Sequence, residues 1–366
     1  MTTRLPQPLK LRPRLDAKPW GGRRLAEWGI ALPLDEIIGE ALLTAPEATV
    51  ASGDLSGASL GELARLSPET WIGARGLDAT RGRPLFPLLI KLIDARADLS
   101  IQVHPDDQAA AAAGQDTGKT EAYHILAAEP GSVLYLGLAP EVKPEDFATA
   151  SLRADGSAGQ LLRQIPITPG MTILIPAGTL HAAGAGTVLY EIQQPSNVTY
   201  RLDDWARVDA AGKPRALHHA EGLPLVDASS QPEPITPIPL AGVDGASART
   251  LLVATRYFAL ERVVLAGRER VRLPAVASPQ VFTCLRGAGV LESSGGVIAV
   301  AVGETVVVPV GAEIHVNADQ DVVVLRGWVP DLQQEIIAPA CTAGASMAVI
   351  RQLGLSVGLA VTADRS

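Results

Sequence analysis

Apolar and polar residues alternate along Leu99-Ser-Ile-Gln-Val-His104, so Leu99, Ile101 and Val103 share one face of a strand and Ser100, Gln102 and His104 the other. A small-residue loop opened by Pro105-Asp-Asp follows, and Glu121-Ala-Tyr-His-Ile-Leu126 reads as the next strand. In Gly170-Met-Thr-Ile-Leu-Ile-Pro176-Ala-Gly178-Thr-Leu-His181 an apolar strand is ended by a proline that lacks the N–H to continue a ladder. Gly178 then permits a tight turn, and His181 begins the return strand. Short Val/Ile/Leu runs broken by Gly and Pro recur along the chain, which predicts a mainly β, barrel-type architecture. Helical patterning is confined to Leu60–Leu66, 105–113 and 144–164, the last split at Asp155-Gly156. The polar, Pro-rich stretch 229–240 reads as an extended linker.

Beyond that linker the pattern repeats. Gly303-Glu-Thr-Val-Val-Val-Pro309-Val-Gly311 reproduces the glycine, the strand and the Pro-x-Gly turn, with Ile314 where the first copy has His181. His315 is one position out of register, which turns its side chain to the opposite face. Gln280-Val-Phe-Thr-Cys-Leu285 overlays the strand that begins at Glu121, with Gln280 at the carboxylate position.

The first copy carries chemistry that the second lacks. His104, Glu121, His181 and Gln102 come from three predicted strands and form a nitrogen and oxygen donor set suited to zinc or another divalent ion. Taken singly, a histidine is more often a hydrogen-bonded core residue and a glutamate a solvated one. The joint spacing is what points to a metal. His218-His219 is not added to the set, because adjacent residues of a strand face opposite ways; a loop or interface place is expected. The glycine, strand, Pro-x-Gly and histidine order is similar to the second signature of cupin barrels. The expected fold is therefore mainly β, with two cupin (jelly-roll) barrels and a few helical insertions. Residues 1–228 would form the metal-binding domain, 229–240 the linker, and 241–366 a second, metal-free domain.

Composition narrows the partners. The 366 residues are 47% apolar, enough for one large or two modest cores. Lys and Arg number 31 against 39 Asp and Glu, a net charge of −8, which argues against nucleic-acid or anionic-membrane partners. No stretch reaches the roughly 18 uninterrupted apolar residues of a membrane span, and the polar, Pro-rich start lacks a signal-peptide core. Cys284 and Cys341 lie far apart, which fits reduced thiols and a cytoplasmic location better than a disulfide framework.

Longer motifs then resemble one family. Phe86-Pro-Leu-Leu-Ile-Lys91-Leu-Ile-Asp94, Gln102-Val-His104-Pro-Asp-Asp107, Gly118-Lys-Thr-Glu121 and Glu191-Ile-Gln-Gln-Pro-Ser-Asn-Val-Thr-Tyr-Arg201-Leu-Asp-Asp-Trp205 resemble type I mannose-6-phosphate isomerases, in the order and spacing of the short bacterial form. Trp20-Gly-Gly and Gly39-Glu40 are similar to its N-terminal motifs, and the likeness is dense from Trp20 to Trp205. Departures occur at Leu42, where many relatives carry tryptophan, and at Asn197, where they carry aspartate; these bear on substrate fit more than on the ligand set.

The resemblance implies a zinc-dependent aldose–ketose isomerase, with one ion per chain, that interconverts mannose 6-phosphate and fructose 6-phosphate through an enediol(ate). Such chemistry asks for a Lewis acid at the oxygens of C1 and C2, a base for the carbon-bound proton, and cations for the phosphate. Arg201 matches the family's active-site arginine; its plainer reading is an ion pair with Asp203 or Asp204. Lys119 shares a face with Glu121 and can serve as phosphate contact, as base, or as a solvated loop residue. A non-catalytic sugar-phosphate-binding cupin and a non-haem iron oxygenase are the other readings. Lys119 and Arg201 favour the isomerase over both. The partner expected is a small sugar phosphate, with the chain a monomer or homodimer.

Overall fold

A computed structural model describes residues 6–209, 211–240 and 248–357. The chain divides into two compact units. One comprises Pro13–Ala45 and Leu89–Pro234; the other comprises the chain up to Arg12, Pro46–Leu88, and the chain from Ile235 on.

The first unit is built on two antiparallel sheets. The six-stranded sheet runs in the order Thr172–Ile175, Glu121–Ala128, Thr187–Gln193, Leu89–Ala95, Ile38–Leu42, Arg14–Gly22. The five-stranded sheet runs Tyr200–Asp203, Ile101–Val103, His181–Ala183, Val133–Leu138, Leu162–Pro166. Ile93, Ile125, Ile173 and Leu189 of the first sheet pack with Leu134 and Leu136 of the second, so the two face each other across a common core. On the outer face of the five-stranded sheet, Ile101 and Val103 pack with Phe147 of the helix Pro144–Ser151. Gln102, between them in sequence, is thereby turned inward.

The other unit has an eight-stranded sheet and a four-stranded sheet. Phe282, Val306 and Val324 of the larger pack with Val271, Leu291 and Ile314 of the smaller. The mainly β reading of the sequence holds among the described residues.

The predicted division into 1–228 and 241–366 needs correction. The change of unit does fall within the Pro-rich stretch, between Pro234 and Ile235, but two earlier segments fold with the C-terminal unit. Strand pairing explains the first of them: Leu9–Arg12 lies antiparallel to Thr305–Val308, with Leu9 opposite Val307. The stretch 229–240 is also not wholly irregular, since Ile238–Leu240 is a strand.

Helix Leu60–Leu66 forms where patterning places it, closed by a capping box between Ser59 and Glu62. The predicted 105–113 shortens to Asp107–Ala112, and 144–164 resolves into the helix Pro144–Ser151, a 3-10 turn Ser157–Leu161 and the strand Leu162–Pro166. Helices Gly73–Ala79 and Met347–Gln352 are additional to those predicted.

Candidate metal centre and active site

Four sequence-predicted residues converge between the two sheets of the first unit. Glu121 opens its strand in the six-stranded sheet. Gln102 and His181 pair directly across the five-stranded sheet, and His104 follows one residue after Val103. The turn before His181 depends on Gly178, whose φ is +85° and whose N–H donates to His104 O at 2.9 Å.

Ligand atoms of His104, Glu121 and His181 all lie within 4.8 Å of one another, and all three residues are buried. His181 Nε2 is 3.0 Å from Glu121 Oε1, and His104 Nε2 is 3.5 Å from Glu121 Oε2. Each imidazole donates its other N–H to a backbone carbonyl: His104 Nδ1 to Val198 O at 3.0 Å and His181 Nδ1 to Thr179 O at 2.9 Å. Those bonds fix the tautomer and leave both Nε2 lone pairs aimed at the cluster, the arrangement a metal ligand requires. Burial, reinforced by the Lys119 ammonium, pushes His104 down to about 3, so its ring is neutral at physiological pH. Both Glu121 oxygens are buried. Burial alone would raise that carboxyl, but Lys119, His104 and His181 outweigh it and hold it well below the carboxylate range. Two imidazoles with Nε2 turned to the cluster and an anionic carboxylate between them fit a divalent ion.

Gln102 Nε2 stands 3.1 Å from His181 Nε2. Lys119 is neither solvated nor a loose loop residue: its Nζ is 2.8 Å from Glu121 Oε2 and 3.0 Å from His104 Nε2. The loop before it is fastened by Lys119 N donating to Pro105 O and Gly118 N donating to Asp107 Oδ1, both at 2.9 Å.

A cavity of about 280 Å³ borders this cluster, lined in part by Gln102, Lys119, Tyr123, Asn197, Arg201 and Arg215. Arg201 stands opposite Gln102 in the strand register, so the two side chains leave the sheet on the same side. It pairs with neither Asp203 nor Asp204. Asp204 instead takes Arg207 and Arg215, while Arg201 Nη1 donates to Ala216 O at 2.8 Å and its buried Nε has no partner.

His218 and His219 are not a metal pair. His218 Nδ1 accepts the Arg201 backbone N–H at 3.1 Å, and His219 Nε2 donates to Leu202 O at 2.8 Å, so both brace the strand that carries Arg201. In the second unit His315 is half-buried beside Arg270 and Glu313. Gln280 donates to Ala312 O at 2.9 Å and accepts from Arg326 Nε at 2.7 Å, which places a hydrogen-bond network where the repeat would put a ligand carboxylate.

Lys91, Glu191 and Arg215 were given no role by sequence reasoning. Lys91 and Glu191 face each other in register on the central strands of the six-stranded sheet, joined at 2.7 Å, and both line the cavity. The available signal was a single charge in the middle of an otherwise apolar strand, as in Leu-Ile-Lys91-Leu-Ile.

Known proteins match both the chain and its fold. The family model described as phosphomannose isomerase type I, catalytic domain, matches residues 9–129. The probable mannose-6-phosphate isomerase GmuF of Bacillus subtilis (strain 168) is 34% identical over 302 residues, covering 80% of this chain and 88% of its own length. The chain belongs to the type I mannose-6-phosphate isomerase family. A mannose-6-phosphate isomerase of Streptococcus mutans is 31% identical over 310 residues, covering 83% of this chain and 92% of its own length. The crystal structure of the mannose 6-phosphate isomerase from Bacillus subtilis superposes with a TM-score of 0.75 at 26% identity, over 87% of this chain and 99% of that one.

Proposed function

We propose that this chain is a zinc-dependent mannose-6-phosphate isomerase, with one ion per chain held by His104, Glu121 and His181, and by Gln102 once its amide oxygen faces inward. The observation that carries the reading is the buried His104, Glu121 and His181 cluster at the edge of a cavity whose wall is cationic. An oxygenase has no need of that wall.

When bound, the ion would supply a Lewis acid for the substrate oxygens at C1 and C2. Lys119 Nζ is then the group that takes the proton from C2 and returns it to C1, since it sits at the cluster and on the cavity wall. Arg201, across from Gln102, turns its guanidinium toward the charge that develops on the enediolate oxygens. The Lys91 and Glu191 pair is placed to fix the sugar hydroxyls and hold the chain of carbons in line.

Both units are read as cupin barrels, the first catalytic and the second metal-free. The repeated glycine, strand and Pro-x-Gly pattern supports this, together with a pair of facing antiparallel sheets in each unit. No helix among the described residues is long and apolar enough to cross a membrane, and Cys284 and Cys341 are unpaired, which supports a cytoplasmic placement. The decisive assay follows conversion of mannose 6-phosphate to fructose 6-phosphate by the purified chain. Turnover should vanish with chelator and return with zinc; turnover indifferent to chelation, or absent from zinc-loaded protein, refutes the reading.

A further inference from the structure

We infer that Arg215 is the principal residue for the substrate's phosphate dianion and that Asp204 is its positioning residue; this rests on the isomerase reading above. The distribution of charge around the cavity is the first observation. At the metal end every lysine has a carboxylate: Lys119 with Glu121 at 2.8 Å, Lys91 with Glu191 at 2.7 Å, Lys18 with Glu40 at 3.5 Å. At the other end three arginines stand close together: Arg207 and Arg215 share the Asp204 carboxylate, and Arg201 pairs with neither Asp203 nor Asp204. Three guanidiniums near one carboxylate leave positive charge beside the cavity, a match for a phosphate that carries close to two negative charges at neutral pH.

Only two of the three arginines line the cavity, Arg201 and Arg215. Arg201 is tied to the metal end by its register with Gln102. Arg215 has no such tie and is clamped in two places, with Nε donating to Asp204 Oδ2 at 2.7 Å and Nη2 reaching Oδ1. A guanidinium held by one edge keeps its remaining N–H groups aimed at a second anion.

The backbone shows that this clamp is built at a cost. Trp205 and Ala206, directly after Asp204, both adopt left-handed conformations, with φ of 57° and 56°. Trp205 Nε1 donates to Leu99 O at 2.6 Å and its backbone N–H donates to Asp203 Oδ1 at 2.7 Å, which locks the turn. The turn follows directly on Asp204 and leads into Arg207, so it holds both members of that pair beside Arg215. Burial raises that carboxyl, yet the two arginines hold it below its usual range, so it stays anionic and keeps its grip.

Inorganic phosphate, titrated calorimetrically into the full-length protein, tests this without reliance on turnover. Arg215→Ala should weaken phosphate binding about tenfold or more and raise KM for mannose 6-phosphate in parallel. Arg215→Lys, which keeps the charge and loses the fork, should fall between. Arg207→Ala is the control, because Arg207 shares Asp204 but lies off the cavity wall. Equal losses in Arg207→Ala and Arg215→Ala would mean a merely structural cluster and overturn the inference. So would wild-type phosphate affinity in Arg215→Ala, or in Arg215→Lys should the alanine variant not fold. Wild-type protein that binds phosphate through Arg215 but isomerises nothing would instead refute the proposed function and leave this inference standing.

Discussion

His181 shows how much one side chain is asked to do. Its Nδ1 is committed to Thr179 O, its Nε2 faces Glu121, and Gln102 closes on it from the neighbouring strand. Substitution by alanine removes one ligand and strands the Glu121 carboxylate beside a gap. His181→Ala should therefore lose both bound metal and turnover, as read by elemental analysis and the isomerase assay; full metal occupancy in the variant would remove His181 from the ligand set. Arg201 tests a different property. Arg201→Lys retains charge but not the planar fork, and an interaction made mainly in the transition state is lost as kcat. A fall in kcat of about a hundredfold is expected, with KM little changed and metal content normal. Near-normal kcat would end the catalytic role and leave Lys119 as the main candidate. These residues were legible because their chemistry is confined to short motifs. Arg215 was not, because its pairing with Asp204 is made across a turn at Trp205 and Ala206 that no pattern of hydrophobicity encodes.

Among the elements, the loop between Val103 and Glu121 is the one on which the site most depends. It carries a short helix, Asp107–Ala112, and returns so that Gly118 passes against the backbone at its own start. A Cβ on Gly118 would stand 2.6 Å from both Asp106 C and Asp107 N, so even alanine forces the loop outward. Gly118→Ala should cost about 1–3 kcal/mol of stability and should weaken metal binding, because Lys119 and Glu121 move with the displaced backbone. A melting temperature and metal content equal to wild type would show that the loop gives way elsewhere. The sequence indicated this loop as small residues between two strands, which fixed its ends. Its internal bonds, such as Gln194 Oε1 accepting from Thr120 N at 2.9 Å, join residues far apart in the chain and leave no local trace. The strand exchange that carries Leu9–Arg12 to Thr305–Val308 was hidden for the same reason: periodicity reports that a segment is a strand, not which sheet receives it.

For the molecule as a whole, the two units fill the space between their facing sheets in two different ways. In the first unit the space between the sheets holds two imidazoles and a carboxylate whose donor atoms all lie within 4.8 Å of one another, a set that a divalent ion can complete. In the second, Arg326 is buried where it donates to Gln280 Oε1, approaches Glu261 Oε2 at 3.2 Å, and lies 4.4 Å from the Trp328 ring centre. Burial lowers the basicity of that guanidinium and Glu261 offsets part of the loss, so the group remains charged and is satisfied without any ion. Two outcomes follow. Metal titration should saturate at one equivalent per chain, and chelation should lower the melting temperature through loss of binding to the native state alone. Arg326→Ala, in contrast, leaves Glu261 buried against only Arg249 and should destabilise the protein by about 3–5 kcal/mol while metal content stays at one equivalent. A second equivalent of tightly held metal, or loss of the first in Arg326→Ala, would show that the two cores are not specialised in this way.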